Sequence, residues 1–238
     1  MISIGKLSLP AVFAEFVGMA LFIFVSTGSA TGFGLASPGT AILSTAVAFG
    51  GSITALAYAL GPRSGAQFNP SVSLGLVLTG NLGVVQGATN ILAQTAGAIL
   101  GSSFVLAMYP DSAIGSNSLA LAAHDNLGVP FLAEAIGTFA LVFVVLECCC
   151  NKTRAPIDTA PIAIGLTVFI AHLVLIPYTS CSINPSRSLG PAIVSGTWPK
   201  EFWIFMFAPF TGAAAAAGTH ILFEQFARPA IAHAPAHV

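Results

Sequence analysis

Phe68-Asn69-Pro70-Ser71-Val72-Ser73-Leu74-Gly75 is answered by Ile183-Asn184-Pro185-Ser186-Arg187-Ser188-Leu189-Gly190, the two Asn residues standing 115 positions apart (184 − 69). In each copy the Asn side chain can accept from free backbone amides, and Pro suits the first helical position. The tripeptide therefore reads as a helix start. The 238-residue chain around it is 55% hydrophobic and 6% charged, which makes lipid the solvent for most of its surface. A formal net charge of −1 offers no field for nucleic acid or another polyanionic partner.

Working outward, six apolar runs are long enough to span a bilayer: roughly 10–31, 40–60, 84–107, 130–149, 159–177 and 201–224. The first has no cleavage pattern behind it and reads as a membrane helix, not a removed signal peptide. Two shorter segments, roughly 69–79 and 184–195, each begin at an Asn-Pro-Ser. They fit re-entrant half-helices, whose irregular lead-in backbone must find protein or water partners. The repeat extends further. Ala14-Glu15-Phe16-Val17-Gly18 matches Ala133-Glu134-Ala135-Ile136-Gly137, and Ala93-Gln94-Thr95-Ala96-Gly97-Ala98 matches Ala208-Pro209-Phe210-Thr211-Gly212-Ala213. Each half thus holds three spans with a half-helix before the third. An odd number of spans inverts one half relative to the other, so the half-helices enter from opposite faces and meet near the midplane. The expected fold is an all-α membrane protein of six transmembrane helices and two re-entrant half-helices in an inverted repeat. It forms one domain over residues 1–238, with repeats of about 8–107 and 128–226.

Lys6, Arg63, Lys152, Arg154 and Arg228 fall on one side of this layout and Lys200 on the other, which puts both termini in the cytoplasm. The 107–129 connection is then outside, and the Asn151-Lys152-Thr153 sequon is cytosolic and unmodified. Cys148, Cys149 and Cys150 are contiguous and Cys181 stands alone, so no disulfide framework is implied. The triplet reads as small apolar filler at a helix end, with S-acylation as the alternative. Gly97, Gly101, Gly212 and the run Ala213 to Ala217 suit close helix packing. The tail, with His233 and His237, reads as disordered.

Ala14-Glu15-Phe16, Ser64-Gly65-Ala66-Gln67-Phe68-Asn69-Pro70-Ser71-Val72, Ala133-Glu134 and Thr179-Ser180-Cys181-Ser182-Ile183-Asn184-Pro185-Ser186-Arg187-Ser188 together resemble the aquaporin (major intrinsic protein) family across essentially the whole chain. One Asn-Pro-Ser alone says little; two in symmetric positions of an inverted six-span repeat are specific. Both copies end in Ser where the family usually has Ala, and Gln67 stands where it often has His.

The resemblance implies a passive channel for water, with Asn69 and Asn184 at the centre of the pore. Two half-helix N-termini converging there disfavour any cation, hydronium included, while the Asn amides donate to water. Carried over by spacing from the Asn-Pro motifs, the family's narrow point falls on Phe49, His172, Cys181 and Arg187. Phe49 and His172 would fill width, His172 and Arg187 would donate to water, and Cys181 would narrow the lumen. Similarity to the family also implies that Glu15 and Glu134 hold the backbone before each half-helix, that glycerol is excluded, and that the protein is a homotetramer with one pore per subunit. No cofactor or metal is expected.

Other classes fit less well. A broader neutral-solute channel would need a wider narrow point, since glycerol-conducting relatives carry a small residue where His172 stands and Asp where Ser188 stands. A secondary transporter would need ion ligands at the midplane, yet no Asp or Glu adjoins either Asn-Pro-Ser. A junction protein would need more surface than these short loops give. An enzyme would need a nucleophile–base pair, and His172 has no acidic orienter nearby in the layout. The host membrane, plasma or internal, is not specified by the residues.

Overall fold

The computed structural model describes residues 5–112, 114–152 and 157–232, with backbone alone for 228–232. Thr153 of the sequon, Arg154, the Arg228 side chain, His233 and His237 lie outside the described residues. Eight α-helices follow in order: α1 Leu9–Ala36, α2 Ala41–Ser64, α3 Pro70–Leu78, α4 Val84–Met108, α5 Gly128–Cys149, α6 Ala160–Thr179, α7 Pro185–Ser195 and α8 Phe202–Ala232. Among the described residues there is no strand. Six of the helices are long and apolar enough to cross a membrane, while α3 and α7 have nine and eleven residues and cannot.

The spans run slightly past their expected ends. α1 continues through Gly32 and Gly34 to Ala36, and α2 runs through Pro62 to Ser64. In an apolar surrounding the backbone must satisfy itself, so residues that break helices in water are tolerated.

The outer face is apolar, and the interior holds polar side chains among its apolar core. Phe13, Leu92, Leu132, Val174 and Phe207 all face outward and are more than half exposed, whereas Glu15, Gln94, Glu134 and Ser188 are wholly buried. That arrangement suits lipid contact around an interior that holds polar side chains.

Packing follows the repeat. α1 lies against α4 and α5 against α8, while α2 and α6 meet across the centre. Glycine permits the first two contacts. A Cβ on Gly97 would lie 2.3 Å from the Phe16 carbonyl oxygen, and one on Gly212 would lie 2.1 Å from that of Ala135. These glycines stand 115 residues apart (212 − 97), so both halves use the same close crossing. Gly18 and Gly137 do similar service for the half-helix loops, receiving the side chains of Phe68 and Ile183.

Gly97→Ala and Gly212→Ala each force one backbone away from another. Each is expected to lower stability by about 1–3 kcal/mol, read as an earlier thermal unfolding transition of the detergent-solubilised protein.

Candidate functional site

The loops before α3 and α7 hold the unusual backbone of the molecule. Ala66, Phe68, Ser180, Cys181 and Ile183 have positive φ, and these five are the non-glycine residues of that kind among those described. Gly65 and Ser180 are the left-handed caps of α2 and α6, and Pro62 and Pro177 each stand three residues before them. Every one of these pairs is offset by 115, so the repeat is written into the backbone as well as the sequence. Left-handed geometry costs a side-chain-bearing residue roughly 1–2 kcal/mol, and it points successive amides the same way.

A buried carboxyl group collects those amides. Glu15 accepts from the Gln67 and Phe68 amides at 2.9 and 2.8 Å, from Ser64 Oγ at 2.6 Å and from Gln94 Nε2 at 2.8 Å. Four donors match the lone-pair sites of one carboxylate. Glu134 repeats the arrangement on the Ser182 and Ile183 amides at 2.9 and 2.7 Å, with Thr179 Oγ1 donating at 2.5 Å.

The helix tips then meet. Asn69 Oδ1 accepts from the Ser71 amide at 2.9 Å, and Asn184 Oδ1 from those of Ser186 and Arg187 at 3.1 and 3.2 Å. Asn69 Nδ2 donates to the Ile183 carbonyl and Asn184 Nδ2 to the Phe68 carbonyl, each at 2.8 Å. Each amide oxygen caps its own helix while each NH2 reaches the opposite loop with one hydrogen. The second hydrogen of each remains for the cavity, which both residues line.

The departures from the family pattern find places. Ser186 Oγ lies 3.0 Å from Thr95 Oγ1 on α4. Ser71 Oγ is buried with no hydrogen-bond partner among the described residues, and nothing in the structure explains its hydroxyl. Gln67 donates to the Ser64 carbonyl at 2.7 Å and accepts from Asn90 Nδ2 at 2.7 Å and Ser73 Oγ at 3.2 Å. Asn90 in turn accepts from Gln86, whose oxygen takes the Ser8 amide. This chain ties the start of α1 to the loop before α3.

Phe49, His172 and Arg187 come together at one end of the cavity. The Phe49 and His172 rings stack with centroids 4.0 Å apart, and the Arg187 guanidinium carbon lies 5.0 Å from the Phe49 centroid. His172 Nδ1 is 2.8 Å from the Val168 carbonyl. A carbonyl only accepts, so the neutral ring carries its hydrogen on Nδ1 and Nε2 is an acceptor, not the donor expected from sequence. His172 Nε2 and Arg187 Nε are buried without a hydrogen-bond partner among the described residues. Cys181 is fully buried and is not among the residues lining the cavity.

Asn117, which sequence reasoning missed, organises this end. Its Oδ1 accepts from Arg187 Nη1 at 2.9 Å and Ser188 Oγ at 2.8 Å, and its Nδ2 donates to the Ser180 carbonyl at 3.1 Å. Arg187 Nη1 also donates to the Gly115 carbonyl at 2.8 Å. The available signal was that a buried cation needs acceptors, and the 107–129 connection is the stretch that must arch over α7.

The cavity has a volume of about 450 Å³. It runs from the ends of α2 and α5, past Asn69 and Asn184, to the stacked rings. Ile53, Leu141, Val145, Ile164 and Val168 line it from the spans, and the two half-helix loops line it as well. Among the described residues no group of three or more His, Cys, Asp or Glu is placed to hold a metal ion.

The family profile described as Major intrinsic protein matches residues 5–220. The chain belongs to the major intrinsic protein family. It is 38% identical over 221 residues to Aquaporin-1 of Canis lupus familiaris, covering 89% of this chain and 80% of that one. It is 36% identical over 212 residues to Aquaporin-5 of Ovis aries, covering 88% and 78%. Its fold is that of the aquaglyceroporin from Plasmodium falciparum, with a TM-score of 0.82 at 21% identity, over 95% of this chain and 99% of that one. Members of the family are channels, so the chain is a multi-pass membrane channel protein and not an enzyme.

Glu134→Gln would set an NH2 group against a backbone amide. It is expected to cost about 3 kcal/mol, read as a lowered unfolding temperature in detergent. Asn117→Ala strips an acceptor from Arg187 and Ser188 and leaves the Ser180 carbonyl unpaired, and should lower the same transition by about 1–3 kcal/mol.

Proposed function

We propose that the protein is a passive water channel that excludes ions, protons and glycerol, its single domain of two repeats forming one passage. The observation that carries this reading is the narrow end of the cavity, where the Phe49 and His172 rings stack at 4.0 Å beside Arg187. Arg187 Nε can donate to a water oxygen and His172 Nε2 can accept a water hydrogen, so a single water replaces the partners it loses. A carbon backbone passing beside the stacked rings would have to displace them or Arg187. The fully buried Cys181 backs this narrow point, one bend of chain away from Asn184.

Asn69 and Asn184 carry the second half of the reading. Each offers one amide hydrogen to a passing water oxygen and sits at the positive end of a half-helix. A cation arriving there meets two such ends in an apolar surrounding, whereas neutral water does not pay that cost. Glu15 and Glu134 hold the loops that aim them. The identity with mammalian Aquaporin-1 supports water; the likeness to an aquaglyceroporin is one of fold and does not speak to the solute. Lys6, Arg63 and Lys152 mark the cytoplasmic end, with both termini there. Likeness to the family supports a homotetramer in the bilayer, one passage per subunit.

Stopped-flow shrinkage of proteoliposomes under an osmotic step tests the reading. Shrinkage should be well above that of empty vesicles, with no glycerol entry and no signal from a trapped proton dye. Glycerol entry at a comparable rate, or no water flow at all, overturns it. His172→Gly should raise glycerol entry by roughly tenfold or more, since the width the imidazole fills becomes free.

A further inference from the structure

On the outer face, away from the cavity, α1 and α4 diverge. A Cβ on Gly97 or Gly101 would lie 2.3 or 2.4 Å from an α1 carbonyl oxygen, whereas one on Gly28 would meet Val105 Cγ2 at 3.5 Å. Beyond Gly101 the two spans therefore splay, and a groove of about 430 Å³ opens between them. The small residues Gly28, Ser29 and Gly32 line it between Phe24, Phe33 and Met108, with Tyr109 against Gly32. At its inner end Phe24 meets Phe104 edge to face at 6.4 Å. None of its lining residues lines the central cavity.

We propose that this groove binds one acyl tail of a zwitterionic phospholipid, in the leaflet on the side of the 107–129 connection. From Phe24 to Ala36 a helix rises about 18 Å, close to the roughly 15 Å of hydrocarbon in one leaflet. A tail lying along α1 fills the groove, with its end at Phe24 and its ester near Tyr109, which caps α4. The groove opens on the lipid-facing surface, where Phe24, Phe33 and Met108 are exposed. An apolar recess gives water too few partners, and a void would forfeit the contacts of its lining, so hydrocarbon fills it.

Two features make the occupant a particular lipid and not merely hydrocarbon. Ser29 and Tyr109 each bring a hydroxyl to the groove, and neither is hydrogen-bonded among the described residues. A phenol at the hydrocarbon boundary can donate to an ester carbonyl, which a bare tail does not offer. The headgroup follows from charge. Asp111, exposed just beyond Tyr109, is the one charged residue in the stretches 24–45 and 98–117. Its field suits an ammonium group and opposes a second anion. The site depends on the spans crossing a bilayer and not on what permeates the cavity.

The full chain in phosphatidylglycerol vesicles tests the proposal, titrated with a phosphatidylcholine that carries a photoactivatable diazirine at its tail end. After illumination, adducts are mapped by peptide mass spectrometry. Adducts at Phe24, Val25 and Phe104 should saturate at a low probe fraction, while those at Leu132, on the exposed face of α5, should rise in proportion to the probe. Gly28→Leu puts a side chain into the groove and should abolish the saturable labelling. Tyr109→Phe should need about fivefold more probe, the loss of one neutral hydrogen bond. It keeps the ring, so it decides the matter if Gly28→Leu does not fold. Groove labelling that merely follows the probe fraction, or that neither variant changes, overturns the proposal. So does a groove without adducts, as when a second copy covers it. Equally early saturation by a phosphatidylglycerol probe in phosphatidylcholine vesicles, or displacement of the label by a sterol at equal fraction, overturns the choice of a zwitterionic phospholipid.

Discussion

The structure depends on one carboxyl group per repeat, buried in a span and turned toward a loop that could not exist without it. The loops before α3 and α7 contain five left-handed residues with side chains, each an expense of roughly 1–2 kcal/mol. Beside them, the amides of Gln67, Phe68, Ser182 and Ile183 belong to buried residues and would cost a similar amount apiece if unpaired. Glu15 and Glu134 remove that second cost by accepting the amides of residues 67 and 68 and of 182 and 183. A neutral hydroxyl in their place would offer fewer acceptor sites and less reach. Gly18 and Gly137, three residues on from each Glu, let the side chains of Phe68 and Ile183 close against the same helix. One turn of span thus both binds the loop and receives it.

From that anchoring the meeting of the half-helices follows. With the loop amides held outward by the carboxyl groups, the Phe68 and Ile183 carbonyls are free to accept from Asn184 and Asn69. The two repeats are therefore tied at their tips by reciprocal hydrogen bonds, in addition to the packing of α2 on α6. The tie sets the separation of the tips, and with it the width of the path between them and the apolar side chains of Leu141, Val145 and Val168 on the spans. The path is thus bordered by the polar half-helix tips and by hydrocarbon from the spans.

Most of the fold was legible because its signals are one-dimensional. Span length, the Asn-Pro starts and the 115-residue offset survive in a bare sequence, and the half-helices begin where Asn69 and Asn184 cap them. The repeated Glu was legible for the same reason. Pro62 and Pro177 carried the same offset and could have marked the left-handed turns in advance. Other features needed three dimensions. That His172 spends its hydrogen on Val168 depends on a rotamer. That Cys181 is fully buried depends on how the left-handed loop packs. Asn117 was illegible because it has no repeat partner and lies in a connection with no periodic pattern.

That last residue shows where the two-fold likeness of the halves breaks. At the position after each Asn-Pro-Ser, α3 has Val72 and α7 has Arg187. A guanidinium buried among helices needs acceptors, and α7 receives them from Gly115 and Asn117. Both belong to the connection between α4 and α5, the one link that joins the halves and so has no counterpart within either. It passes over the end at which α7 enters, where the Ala120 amide also donates to the Tyr178 carbonyl at 3.0 Å. Among the described residues no comparable stretch covers the end at which α3 enters, and an Arg in place of Val72 would lack those acceptors there. Instead that half devotes its polar side chains to the relay from Ser8 through Gln86 and Asn90 to Gln67. The halves share a backbone, but only the half roofed by the joining connection can hold a fixed charge, so the proposed narrow point arises at one end of the passage and the open mouth at the other.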